Sequence, residues 1–270
     1  MMPEPTARRG GRRRTRTQSG GVRALDRGLS ILEALTDQPG LTLSEIAERV
    51  RLPVSTAYRL LETLRSRRFV QPSDETGRYH VGVRAFEVGS AFLPRLRLNE
   101  LALPVMKDLA RDLGETVNLA VRDGSDAVYV AQAEGQQLLR MFTQIGARTP
   151  LHCTGVGKIL LAWLSPEEVD GVMGPGPWTH YTPNTLTRRT ELHRELDAIR
   201  DQGYAVDNEE RELGVRCIAA PIRDRQGEVV AALSLSAPSS RLTADRVSTL
   251  APEVLAAAER VSHLLRTVGG

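Results

Sequence analysis

The chain has 270 residues, room for two modest domains, and its 41% hydrophobic content is that of a water-soluble globular protein. No apolar run approaches the roughly 20 residues of a membrane helix, and the basic N-terminus lacks the apolar core of a secretory signal, so a cytoplasmic protein with no membrane partner is expected. The two cysteines, Cys153 and Cys217, make neither a disulfide framework nor a zinc site, and no cofactor or metal motif is present. Charge is unevenly spread: residues 1–90 carry 16 Arg against 10 acidic residues, whereas residues 91–270 carry 20 Lys and Arg against 23. Only the front of the chain is therefore expected to meet a polyanion.

Residues 1–20 have almost nothing to bury and read as a disordered arm. Its run of Arg8, Arg9, Arg12, Arg13, Arg14 and Arg16 either follows phosphates or simply solubilises the chain. Val22, Leu25, Leu29 and Leu32, widened by Ile31 and Leu35, then fall at helical spacing, up to Pro39-Gly40. Thr42-Leu43-Ser44-Glu45 has the form of a capping box and opens a second helix. After the turn Arg51-Leu52-Pro53, Ser55 is placed to cap a third helix whose inner face is Ala57, Leu60, Leu61 and Leu64. Residues 69–71 and 78–82 flank a polar, Gly-containing turn and read as a hairpin. Three helices and a hairpin form the winged helix-turn-helix order, assigned to residues 21–82.

A linker helix is expected over 83–97, ended or kinked by Pro94. From residue 98 to 270 the pattern is mixed. Helix is expected at 99–113, strands at 116–122, 127–133 and 138–144, helix at 155–164 and mostly helix over 186–203. A strand at 204–207, a hairpin of 215–223 with 229–236 and a closing helix at 243–266 complete the α+β reading.

A recognition helix needs short polar groups and Arg near its start, facing the major groove. Ser55, Thr56, Tyr58 and Arg59 supply them, and Arg78 on the wing adds phosphate charge. A solvated helical hairpin is the competing reading. Two protomers reading an inverted repeat of double-stranded DNA would place these helices about 34 Å apart.

The sequence resembles the IclR family of bacterial regulators. Residues 43–47 and 52–64 are similar to its helix-turn-helix, and Gly77-Arg78-Tyr79-His80-Val81-Gly82 to its wing. Residues 151–158, 203–210 and 214–221 are similar to signatures of its effector domain, in the same order and spacing. The resemblance implies a GAF-like α/β effector domain, homodimers joined through the N-terminal half, and tetramers.

In that second domain Thr154 can cap a helix from Gly155, leaving the N–H groups of Gly155 and Val156 to face a carboxylate. Gly155 and Gly157 keep the turn open for close approach; a glycine-rich start chosen for packing is the alternative. Ala232, Ser234 and Ser236 share one face of a strand, either lining a site or facing solvent. The resemblance implies that Gly155, Val156, Asp207, Cys217, Ser234 and Ser236 hold a small 2-oxo acid, with Leu138, Met141 and Val215 as apolar wall. Val156 replaces an Ala, which leaves the backbone donor intact. Thr149 replaces an apolar residue, which opens ligand size and polarity to change. Repression of a catabolic operon is the leading expectation, with activation of aromatic-acid catabolism by an aromatic effector as the alternative. An enzyme built on Cys217 is a weaker reading, because no catalytic motif accompanies that thiol. An architectural DNA binder using only the arm would leave two-thirds of the chain without a role.

Overall fold

The computed structural model describes residues 22–73, 76–90, 98–137 and 143–268. The Arg-rich arm, residues 91–97 of the expected linker helix, and Leu138 and Met141 with most of the strand expected at 138–144 lie outside the described residues. The chain divides into two compact units, Met1–Phe92 and Leu93–Gly270.

The first unit runs α1 (Arg23–Asp37), α2 (Leu43–Arg49), α3 (Val54–Ser66), β1 (Val70–Pro72), β2 (Tyr79–Val81) and α4 (Val83–Ser90). Its core is Ile31, Leu35, Leu41, Ile46, Leu61 and Val70. The capping box forms as read: the Glu45 N–H donates to the Thr42 hydroxyl, and the Thr42 N–H donates to the Glu45 carboxylate at 2.7 Å. Strands β1 and β2 pair antiparallel with Val70 opposite Val81, and Leu41 bridges to Tyr79, fastening the hairpin to the loop between α1 and α2.

Two local expectations need correcting. On α1 the buried residues are Gly28, Ile31, Ala34 and Leu35, while Val22, Leu25 and Leu29 are 70%, 63% and 51% exposed. The helix is apolar over more of its circumference than this unit covers, so one edge is buried and the other forms an exposed apolar strip. Nor does Ser55 cap α3. Pro53 holds the N-cap position, and its carbonyl accepts from the N–H groups of both Thr56 and Ala57. Ser55 thus lies in the first turn, with its side chain exposed.

The second unit runs α5 (Leu98–Leu113), β3 (Thr116–Asp123), β4 (Asp126–Ala133), β5 (Arg148–Pro150), α6 (Gly155–Ala162), α7 (Pro166–Met173), α8 (Arg189–Gln202), β6 (Ala205–Asn208), β7 (Val215–Arg223), β8 (Val229–Pro238) and α9 (Ala244–Val268). Six strands form one antiparallel sheet in the order β5-β4-β3-β8-β7-β6. Residues alternate across it. Leu119, Ile218, Leu233 and Leu235 face α5 and α9, whereas Ala120, Ala205, Ala219 and Ala232 face α6 and α8. The small residues on the second face let α6 lie close to the strands.

β5 and α7 were not anticipated. β5 is three residues with no hydrophobic alternation, held by pairing with Asp126–Val128 of β4. α7 carries a legible start signal, a Ser165–Glu168 capping box with Pro166 in the first turn. Among the described residues no helix is long and apolar enough to cross a membrane.

Candidate DNA-binding face and candidate effector site

Helix α3 buries Ala57 and Leu61 and turns its other side to solvent. Ser55, Tyr58 and Arg59 are exposed on that side and Thr56 is half-buried. The first-turn N–H groups of α3 add donors to a surface already suited to phosphate. Arg78 sits on β2's approach, where its Nη1 donates to the Gly40 carbonyl and lies 3.3 Å from the Glu45 carboxylate. Its guanidinium braces the hairpin against α2 and remains partly exposed.

In the second unit the sheet face under α6 gathers the polar residues. Strand register sets Asp207 opposite Cys217, Cys217 opposite Ser236, and Ser236 opposite Thr116, a row across four strands. The next row on the same face is Ala205, Ala219, Ser234 and Asn118. Ser234, Ser236, Asn118 and Asp207 are all buried. Of the two readings of the serine face, solvent exposure is therefore excluded. Asn118 donates to the Ser236 hydroxyl at 3.2 Å. Val215 begins β7 two residues from Cys217, on the same face and half-buried.

The start of α6 lies over these rows. The Gly157 N–H donates to the Thr154 hydroxyl at 3.1 Å, and that hydroxyl donates to the Pro150 carbonyl at 2.8 Å. Among the described residues the N–H groups of Gly155 and Val156 meet no acceptor, although both residues are buried. Packing requires glycine at 157 and leaves little room for more at 155. A Cβ on Gly157 would lie 2.4 Å from the Leu151 Cα, and one on Gly155 would lie 3.2 Å from the Ala219 Cβ. What comes close at Gly157 is the chain itself, as the packing alternative held.

Lys158, one turn into α6, is completely buried. Its Nζ donates to Glu210 at 2.6 Å, to Glu195 at 2.8 Å and to the Val206 carbonyl at 2.6 Å. Burial works against its charge, but the two carboxylates offset this and hold the ammonium above its usual range. Glu210 remains raised by burial despite Lys158. Burial first, and then the Glu210 charge, push the Asp207 carboxyl up to about 7, even though backbone N–H groups of Glu210 and Arg211 point at it. Burial and Asp207 also push the Cys217 thiol well above its ordinary range, and burial takes Cys153 up to about 12. Neither sulfur is a ready thiolate, which removes the basis for Cys217 as a nucleophile.

Sequence reasoning missed Asn118, Tyr129, Lys158 and Arg211 at this site. Tyr129 packs on the α6 face with its hydroxyl in reach of Thr149, and burial raises that phenol beyond its usual value. Spacing held no signal for these contacts; the one visible cue was that Lys158 is one of only two Lys among 36 basic residues.

A helical unit exposing short polar groups and Arg on one helix, in the same chain as a unit with buried polar groups under a helix start, is the layout expected of a ligand-regulated DNA-binding protein. The comparisons agree. Residues 24–74 match the IclR helix-turn-helix domain and residues 90–263 match the C-terminal domain of bacterial transcriptional regulators of the IclR type. The HTH-type transcriptional regulator BhcR of Paracoccus denitrificans is 42% identical, covering 90% of this chain and 88% of its own. The acetate operon repressor of Salmonella typhimurium is 42% identical over 90% of each chain. The crystal structure of an IclR homologue from Microbacterium hydrocarbonoxydans in complex with 4-hydroxybenzoate superposes with a TM-score of 0.79 at 27% identity, covering 90% of this chain and 98% of that one. The chain belongs to the IclR family of bacterial transcriptional regulators, and the proteins it matches are regulators rather than enzymes.

Proposed function

We propose that this regulator is a repressor of a catabolic operon, released or tightened on its operator by a small carboxylate such as a 2-oxo acid. The observation that carries this reading is the burial of Ser234, Ser236, Asn118 and Asp207 beneath the unsatisfied N–H groups of Gly155 and Val156. A sheet face that needed only to pack against α6 has no use for four buried polar side chains. The backbone donors hold the carboxylate, and Asp207, Cys217, Ser234 and Ser236 hydrogen-bond the oxo or hydrated group. Val215 supplies apolar wall; Leu138 and Met141, outside the described residues, are assigned to it from the family resemblance alone.

On the DNA side, Ser55, Thr56, Tyr58 and Arg59 meet the major groove of an inverted repeat and Arg78 the flanking backbone. The exposed strip of Val22, Leu25 and Leu29 on α1, with Val83, Phe86 and Val88 exposed on α4, is too apolar to remain in water and is assigned to a homodimer or a higher oligomer. Such a protein works in the cytoplasm, where its operator lies.

Calorimetric titration of the full chain with glyoxylate, pyruvate and 4-hydroxybenzoate tests the effector assignment. Binding of a 2-oxo acid that weakens at least about tenfold on Ser234→Ala with Ser236→Ala supports it; silence toward every 2-oxo acid sinks it. An aromatic effector is the second reading, favoured by the rings of His152, Trp178 and Tyr181 grouped beside the site and by the relative that binds 4-hydroxybenzoate. Preferential binding of 4-hydroxybenzoate selects that branch.

A further inference from the structure

The loop after β6 separates two adjacent charged residues. Glu209 takes a left-handed backbone (φ 60°). Beyond it the Glu210 carboxylate enters the interior to meet Lys158, while Arg211 stays exposed. The Arg211 guanidinium carbon stands 4.1 Å above the Tyr181 ring, at cation–π distance. Tyr181 stacks on His152 at 6.2 Å between centroids, and His152 is buried, with its Nε2–H donating to the Thr179 carbonyl at 3.0 Å. The cation therefore rests on a shelf anchored two residues before the Thr154 cap.

Three further observations tie Arg211 to the site. Its positive charge is felt by Tyr129, His152 and Cys153, which surround the site from β4 and from the loop before α6. Its own backbone N–H points at the Asp207 carboxylate. Among the described residues no carboxylate pairs with its guanidinium. Glu210 and Glu195 share one interior cation, Lys158, and Asp207 lies near enough to Glu210 to feel its charge without an ion pair of its own. An anion entering such ground meets carboxylates first unless a positive charge stands at the entrance.

We propose that Arg211, seated on Tyr181, is a specificity-determining residue of the effector site: it attracts anionic effectors and leaves neutral analogues without a gain. The proposal rests on the reading of the α6 start and the β8 serines as the effector site. It requires the charge of the ligand rather than its shape, and it applies to any of the carboxylates considered above.

The test is calorimetric titration of the full-length protein with glyoxylate, pyruvate and 4-hydroxybenzoate at low and at physiological salt, alongside the neutral amide of glyoxylate. Arg211→Gln is expected to weaken the bound carboxylate by about tenfold and to flatten the salt dependence of its affinity. Arg211→Lys should recover part of the loss, Tyr181→Ala should reproduce part of it, and the amide should bind both proteins alike. Because Arg211 is exposed, operator binding without effector serves as the folding control. An Arg211→Gln protein that binds the carboxylate as tightly as the parent at low salt overturns this assignment alone. A parent protein that binds none of the three carboxylates overturns the effector reading and this inference together.

Discussion

Asp207 and Lys158 illustrate how a buried charge carries information about a site. Asp207 ionises in the fold only near pH 7, against about 3.8 when free. The native state therefore holds a proton that the unfolded chain releases, and stability falls as pH rises from about 4 through 7. Asp207→Asn keeps the hydrogen bond from the Glu210 N–H and removes the ionisation. Thermal unfolding across that window should show the variant gaining on the parent as pH rises; parallel curves would contradict the buried carboxyl. The proposed anionic effector, seated beside Asp207, would favour its protonated form, so affinity should decline above pH 7 in the parent and much less in Asp207→Asn. Lys158 gives a larger effect. Lys158→Met strands Glu210 in the interior and should cost about 3–5 kcal/mol in urea unfolding. Adding Glu210→Gln should return a good part of that, because the orphaned charge disappears with it; no recovery in the double variant would show that the ion pair is not the cause.

Secondary elements here are held by their ends and by close contacts along their sides. Thr42 closes α2 through a reciprocal cap, and Thr42→Ala should lower stability by about 1 kcal/mol. The loss should appear in the helix-turn-helix unit and show as weaker operator binding at elevated temperature, with effector affinity unchanged at 25 °C. Helix α6 depends on the absence of a side chain. Gly157→Ala drives a Cβ into the Leu151 backbone, which has no rotamer to yield, so a cost of about 1–3 kcal/mol is expected. The helix start would be pushed from the serines of β8, and weakened effector binding should accompany the lowered melting temperature. A Gly157→Ala protein with parental stability and affinity would refute that close approach.

The molecule as a whole is asymmetric in charge and leaves apolar surface uncovered. Its basic front carries Arg59, exposed on α3, and Arg78, partly exposed on the hairpin, while the acidic rear buries a small polar group, Asn118, Asp207, Ser234 and Ser236, within an exposed charged surface. The uncovered residues of α1 and α4 include Leu25 at 63% and Phe86 at 74% exposure. Leu25→Glu with Phe86→Glu should convert the proposed oligomer to monomer in sedimentation velocity and reduce affinity for a two-half-site operator by at least about a hundredfold. A half-site alone has no second contact to lose. Unchanged sedimentation would place the subunit interface elsewhere.

Periodicity, caps and turn chemistry made most elements legible in the sequence, because helices and strands facing one core must repeat at 3.6 or 2 residues. The Thr42 cap, α3, the β7–β8 hairpin and the closing helix are local facts, and the ordered motifs carried the family with them. The short β5 was not legible, since its pairing partners lie 20 to 24 residues away. Nor was the covered edge of α1, since amphipathicity does not say how much of an apolar stripe the same chain will bury. The site divides in the same way. The Thr154 cap and the serine alternation are written along the chain, whereas the burial of those serines, the convergence of Asp207 with Cys217 and the seating of Lys158 and Arg211 are not. These depend on which strands become neighbours and how closely α6 approaches them, and only the packed sheet decides that.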